Sequence, residues 1–596
     1  MTTWPGSMAF SGPDGPRGES PSTAGPVLAD GRTGSPWASS EATRYLCVGA
    51  YLDRNFRRRV MSEVLGAEHR AVAPSYGIDI IPVLRHCLRA QTRERLRNIA
   101  FAVLFMVLLL INAPLTIMAL ATGYGWRLTF LTFGALARRQ FLRAAGLLVL
   151  SVAVSGLVAL VLVSLAALQY MVSTATGYSG ELGSSFGGEV SGSAAGFVLL
   201  LWGSAWGIRF AEMVTNHRTI LSELSPGRFV PDNAPQEPAR HVHRLAFLAH
   251  AQTGNITYYA RTVADRPFVG SGYLEEPWHL AVPLRRRSDA GDPVEELTVQ
   301  TLYRRMRRAL ASLADETLPP GQRIVGLSMQ PRLFVPGLLR PSDGLIDRQR
   351  GKPRHHLSRA ELDEFEQHDR NRATEYLTVR IGAWEGELEV TIFVYFSIRG
   401  NTLYMEFVGA SLPSVRELYH SADTQQQLQP SVYASLGFKA LAGLPMLFLL
   451  APVDFYHQSR DRIRAAMAVR REAQDISTRL AFDYGVRSSV RELGADYEND
   501  QFFQRLDGRR YIFLVERRVR DAVAEVLHEF GYSTEEFLER TQMIINNTTQ
   551  INGGTFNNQG GAMAFGAFAQ AMAEPGSGPV PYLPPRSGPP AAGAGS

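Results

Sequence analysis

Apolar and polar positions along this chain follow three rhythms. In the first, apolar residues simply run on: Ala144 to Gly180 holds no charged residue and is rich in Leu and Val from Gly146 to Val172. At about 1.5 Å per helical residue, such a run exceeds the roughly 20 residues that cross a bilayer. Shorter runs of the same kind cover Ile99–Ala121, Val190–Ile208 and Ala440–Val453. In the second rhythm apolar and polar residues alternate, as they do on a strand with one buried face. Leu377, Val379 and Ile381 start this pattern, Leu388, Val390, Ile392, Val394, Phe396 and Ile398 continue it, and Leu403, Met405 and Phe407 complete it. Glu385-Gly386 and Gly400-Asn401 fall where the turns of a three-strand meander belong. Further strands are expected at Asn255–Ala260, Trp278–Leu284 and Arg323–Met329. In the third rhythm the apolar positions recur at helical spacing: Leu302, Met306, Leu310 and Leu313 after the start signal Asp292-Pro293, and Val515, Val519, Val523, Val526 and Phe530 near the C-terminus. Gly531 suits the cap of that last helix, and Ser533 with Glu536 reads as a capping box for the next.

Charge turns these elements into a topology. Arg85, Arg89, Arg93, Arg95 and Arg97 follow Asp79, a candidate helix N-cap, and precede the first apolar run, which by the positive-inside rule places the N-terminus in the cytoplasm. Arg127, Arg138, Arg139 and Arg143 mark an inner loop, whereas the loop after the second run carries Glu181 and Glu189. Arginines therefore flank the first run on both sides. Either the run is a hairpin bent at Pro114, or it is an ordinary span beside a misplaced basic loop. Ala440–Val453 is short for a crossing, contains Pro445 and Pro452, and reads as a re-entrant or membrane segment.

The fold class expected is an α+β membrane protein: helical membrane hairpins, a cytoplasmic mixed α+β domain and a helical C-terminal module. A disordered Pro/Gly/Ser-rich leader (1–43) precedes a basic helical segment (44–98), the apolar segment bent at Pro114 (99–121) and a basic juxtamembrane segment (127–143). Transmembrane helices at 144–173 and 193–208 enclose an outer loop at 174–192. The α+β domain occupies 209–430, the re-entrant or membrane segment 436–453 and the helical module 454–540. An uncharged Asn/Gly-rich tail (541–573) and a disordered Pro-rich end (574–596) complete the chain.

Composition narrows the chemistry. The 596 residues carry a net charge of +5, and Lys352 and Lys439 are the only lysines, so arginine supplies nearly all the positive charge. Because the arginines gather beside apolar runs, they predict contact with lipid headgroups rather than nucleic acid. Candidate membrane-anchoring residues are Pro114, Arg138, Arg139, Arg143, Trp202 and Trp206. Two cysteines, Cys47 and Cys87, form no disulfide framework. His241, His243 and His250, and separately His355-His356 and His368-Asp369, lack the partners of a metal site. With no nucleophile elbow, Walker A loop or Rossmann fingerprint, the reading is non-enzymatic, with no catalytic residue, cofactor or metal.

In the tail, Ile545, Ile551, Phe556 and Phe565 punctuate runs of Asn, Gln, Gly and Thr, a composition suited either to stacked self-pairing or to a flexible linker. A homo-oligomer follows from the first alternative, and the α+β domain is expected to bind an unknown protein partner.

The segments Asn255-Ile-Thr-Tyr-Tyr, Arg266-Pro-Phe-Val-Gly-Ser-Gly with Trp278, and Ala73-Pro-Ser-Tyr-Gly-Ile-Asp resemble uncharacterised actinobacterial multi-pass membrane proteins. Phe537-Leu-Glu-Arg followed by Ile551-Asn-Gly-Gly-Thr resembles their Asn/Gly-rich termini and, more loosely, bacterial amyloid-signalling motifs. That resemblance implies a plasma-membrane location and supplies no activity. The expected function is a membrane-anchored cytoplasmic scaffold or signalling component. The alternatives are a small transporter or channel built from oligomerised hairpins, and a membrane enzyme whose site is scattered over loops.

Overall fold

The structure, a computed structural model, describes residues 39–111 and 182–551, apart from 276, 288–295, 316, 320–322, 369–372, 426 and 499–500, together with the helical stretch 145–153 and scattered helical residues between 112 and 181. The chain forms two units.

The first comprises the described residues of Met1–Pro277, Arg307–Tyr395 and Phe407–Arg518. Its N-terminal part is helical: α1 (Glu41–Leu52), α2 (Arg54–Val60), α3 (Ile80–Ile111), α4 (Leu182–Glu223) and α5 (Val242–Ala251). Ser40 caps α1 through Thr43 N, and Asp53 ends α1 while capping α2 through the amides of Asn55 and Phe56. Asp79 accepts from Ile81 N at 2.9 Å, so the expected start of α3 is present. Leu46, Val48, Phe56, Val83, Leu84 and Cys87 interlock in one core with Ile220 of α4, Leu224 just beyond its end, and Leu245 and Leu248 of α5.

The sheet of this unit runs in the order β1 (Ile256–Tyr259), β4 (Leu327–Pro336), β8 (Thr374–Ala383), β9 (Leu388–Arg399), β10 (Thr402–Leu412) and β2 (Tyr273–Leu274). β1 lies parallel to β4, whereas β4, β8 and β9 are antiparallel, with Val379 opposite Met329 and Ile392. The meander occupies the stretches that alternation marks out, and its first turn uses positive φ at Glu385 and Gly386. One sheet face is aliphatic; the other carries Phe334, Tyr376 and Phe393, on which Phe268 packs with its ring stacked 4.3 Å from that of Phe393. Small elements complete the unit: β5 (Leu338–Leu339) pairs with β11 (Phe482–Asp483), and β6 (Ile346–Asp347) with β7 (Lys352–Pro353). Helices α7 (Arg359–His368), α8 (Glu417–His420), α9 (Pro430–Thr478) and α10 (Val490–Gly494) also belong to it. A capping box opens α10, formed by Ser489 and Glu492.

The second unit comprises the described residues of Trp278–Met306, Phe396–Glu406 and Val519–Ser596. Here β3 (Trp278–Pro283) pairs with β10. The Gly400-Asn401 turn, again at positive φ, exchanges hydrogen bonds with Leu284: Leu284 N donates to Asn401 O at 2.7 Å and Asn401 Nδ2 to Leu284 O at 2.8 Å. Helices α6 (Val299–Ala311) and α11 (Phe502–Glu529) begin or end in this unit, and α12 (Glu535–Ile551) follows a turn at Gly531 with φ +77°. Leu302, Met306, Val519, Val523 and Val526 are buried as their spacing predicts. Helix α6 begins at Val299, and the expected start signal Asp292-Pro293 lies outside the described residues.

The membrane architecture is overturned. Among the described residues no helix is long and apolar enough to cross a membrane, which removes the membrane-protein fold class, the plasma-membrane location and both the anchored-scaffold and hairpin-transporter functions. The physical reason lies in charge and packing. Arg97 precedes the apolar half of α3, Arg209 follows that of α4, and Lys439 and Asp454 bracket that of α9. Between those charges, Phe101 and Leu108 of α3, Leu201 and Ala205 of α4 and Leu444 of α9 bury one another. The stretch expected to be re-entrant lies inside α9, which continues through Pro445 and Pro452, and part of the expected outer loop belongs to α4. The apolar run from Ala144, with Arg138, Arg139 and Arg143, lies largely outside the described residues, as does Pro114.

Candidate functional site, a basic cavity between three helices

In the first unit, α3, α4 and α9 enclose with the α1–α2 corner a cavity of about 740 Å³. Pockets of some 300–1,000 Å³ are the usual size for small-molecule sites. Five cationic side chains line it (Arg54, Arg57, Arg97, Arg209 and Lys439), against two carboxylates, Glu94 and Glu212. Met213, Ile220, Val432, Leu436 and Leu447 make part of the wall apolar, and Asn216, Ser421, Ser431 and Ser435 add polar groups.

Most of these charges are held in a chain of ion pairs. Glu94 forms an ion pair with Arg54, 2.6 Å from its Nε, and accepts a hydrogen bond from the Arg57 guanidinium, with Arg97 3.7 Å away. Arg54 reaches on to Asp454 at 2.9 Å, and Arg57 donates to the Ala50 carbonyl at 2.6 Å. Glu212 receives Arg97 at 2.9 Å and also pairs with Arg209. Burial acts to raise the Glu94 pKa, but Arg57 and Arg54 outweigh it and hold the carboxyl below its ordinary value, so it stays ionised. Lys439 differs: its side chain is exposed on α9, and among the described residues no carboxylate pairs with it.

Hydrogen bonds tie the helices around the cavity to one another. Trp206 Nε1 donates to the Gly437 carbonyl at 2.9 Å, tying α4 to α9, and its ring stacks 5.0 Å from that of Phe210. Arg93 bridges α3 to α4 through Asn216 and Thr219 at 3.1 and 2.9 Å. Trp202 packs against the apolar cluster below. The two tryptophans expected as membrane anchors thus serve helix packing.

Other expected site residues are dispersed. Ile545 and Ile551 lie in α12, and Phe556 and Phe565 lie outside the described residues. Cavity residues Arg54, Arg57, Glu94, Arg209, Glu212 and Lys439 were not singled out by sequence as a site; the available signal was the pair of acids set inside arginine-rich or apolar helices, Glu94 and Glu212. Of the histidines, the fold brings His250 and His355 together, with ring centroids 6.5 Å apart.

Residues 277–559 match the AbeC-like domain family. The match carries neither the actinobacterial origin nor the membrane character that the sequence resemblance implied. It begins after α1–α5, so α3 and α4 lie outside it while α9 lies within. No curated protein matches the chain, and no solved structure does.

Proposed function

We propose that this chain is a small-molecule-binding protein whose helical cavity receives an anionic ligand of phosphate- or carboxylate-bearing type. The supporting observation is the excess of cationic over anionic side chains around a volume of about 740 Å³ that also has an apolar wall. Charge selects the ligand head, since Arg209 and Lys439 offer N–H donors to an oxyanion. The apolar residues of α4 and α9 accept its body, and the ion-paired Arg54, Arg57 and Arg97 keep their geometry before a ligand arrives, which lowers the ordering cost of binding. This is a binding reading and assigns no reaction.

The test is calorimetric titration of the full chain with a panel of phosphorylated metabolites and their dephosphorylated counterparts, using the wild-type protein and Lys439→Met. Binding restricted to phosphorylated members and weakened about tenfold or more in the variant is expected, because a charge-assisted hydrogen bond contributes about 1.5–3 kcal/mol. Equal binding of charged and uncharged members, or an unaltered Lys439→Met, overturns the reading.

A further inference from the structure

On the sheet side of the first unit, a second, smaller cavity of about 160 Å³ is lined by Phe247, Asp347, Arg350, Lys352, Pro353, Arg354, His355 and His356. Basic, aromatic and acidic side chains meet there. Arg350, Lys352 and Arg354 bring basic side chains from alternate positions of the β6–β7 hairpin and the segment that leaves it. Phe247 of α5 supplies an aromatic floor, with Lys352 Nζ 5.4 Å from its ring centroid and the His355 ring edge-on at 5.9 Å. Asp347 is the single carboxylate of the lining, and Arg350 lies 3.9 Å from it. Asp347 also serves the turn, accepting from Gln349 N at 2.9 Å and Arg350 N at 3.3 Å.

The backbone beneath these side chains is held in place. Asn255 N donates to the His355 carbonyl at 3.0 Å, Asn255 Nδ2 to the Leu357 carbonyl at 2.8 Å, and Leu357 N returns a bond to Asn255 Oδ1 at 2.9 Å. Tyr258 Oη donates to the Arg354 carbonyl at 2.8 Å. Gly254 passes so close to the His355 carbonyl that any Cβ would collide with it. A buried Asn and a buried Tyr of β1 therefore fix residues 354–357 as an extended ledge. Each cation on that ledge has one carboxylate partner, Arg350 with Asp347 at 3.9 Å, Lys352 with Glu68 at 3.6 Å and Arg354 with Glu361 at 2.6 Å, and of these three acids Asp347 alone lines the cavity.

We propose that this ledge is a second anion site, separate from the helical cavity, and that it binds one tetrahedral oxyanion, either free phosphate or the terminal group of a small phosphomonoester. At about 30 Å³ per water molecule, the volume equals about five waters, enough for one such group with part of its hydration. Lys352 and Arg350 supply point and fork donors, and the His355 and His356 rings add N–H donors. The preformed backbone means that the ligand orders few side chains on arrival.

Inorganic phosphate and methyl phosphate are each titrated into the full chain by calorimetry, in wild type, in Arg350→Met with Lys352→Met, and in Lys439→Met. In parallel, the His355 ring is followed by NMR with and without phosphate. The site predicts binding that weakens at least fivefold in the double variant and is unchanged in Lys439→Met, together with titration of His355 at higher pH once phosphate is bound. Preference for inorganic phosphate over methyl phosphate assigns the free ion as ligand, and equal affinity assigns a phosphomonoester. Phosphate binding that the double variant leaves intact, or that leaves the His355 titration unmoved, overturns the proposal. Loss of binding in Lys439→Met alone would place the phosphate in the helical cavity and equally overturn it.

Discussion

The guanidinium of Arg57 is paired with the carboxylate of Glu94, and both side chains are more than nine-tenths buried. A pair of this kind is worth little against a well-packed apolar substitute, but removing one member strands the other charge. Glu94 also neutralises Arg54 and stands near Arg97, so its loss would leave three guanidinium groups facing one another. Glu94→Gln is expected to lower stability by about 3–5 kcal/mol, read from urea unfolding. A loss below 1 kcal/mol would show that these arginines find other partners.

The His420 imidazole gives the fold a pH dependence of definite sign. Burial acts to lower its pKa, but the hydrogen bond to Glu387 at 2.5 Å and the nearby Glu417 and Asp423 prevail and raise it above the ordinary histidine value. A raised folded-state pKa means that the stabilisation is fully present below the unfolded value near 6.5 and is lost as pH rises through the folded one. Urea midpoints are therefore expected to fall as the pH rises above about 6.5, and His420→Gln should flatten that fall.

Cys47 and Cys87 are both fully buried free thiols. Burial pushes the Cys87 thiol up to about 12 and raises Cys47 well above its ordinary value, so neither supplies thiolate at neutral pH. Native protein should react with a chromogenic disulfide reagent only as fast as it opens, and both thiols should appear together on addition of denaturant.

Two chain crossings permit no side chain. Gly337 meets the backbone of Gly485, and a Cβ on Gly485 would run into the backbone of Ala260. Gly485→Ala should separate β1 from the segment that includes Val486, whose N–H bonds to Tyr258 O at 2.8 Å. A loss of about 1–3 kcal/mol is expected from this overpacking, with a matching drop in melting temperature as the readout.

Much of the sheet was legible because alternation reports one buried face directly: Val379, Ile381, Val390 and Ile392 are all buried as their period requires. The turns were legible because Gly386, Gly400 and Asn401 tolerate the positive φ that they adopt. What misled was the meaning of apolar length. Phe101, Leu108, Leu201 and Leu444 bury one another between helices, and a run of apolar residues reads the same whether its neighbours are lipid or other helices. The arginines were misread for a related reason. Arg97 and Arg209 count as loop charges on a topology diagram, yet Glu212, on a different helix from Arg97, gathers both into one network, and pairing across helices leaves no trace in local spacing. The capping box expected at Ser533 and Glu536 is displaced, since α12 starts at Glu535 and not directly after Ser533, whereas Ser489 with Glu492 forms a capping box at a position that sequence reading passed over.

Helix α3 extends for 32 residues without interruption, a length of about 48 Å at 1.5 Å per residue. Along that length it plants Val83, Leu84 and Cys87 in the main core, offers Glu94 and Arg97 to the basic cavity, and ends with Phe101 and Leu108 wedged among apolar neighbours. With the charged residues near its midpoint, each arm is about 24 Å long, so a tilt of about 5° imposed there would carry the tip through about 2 Å.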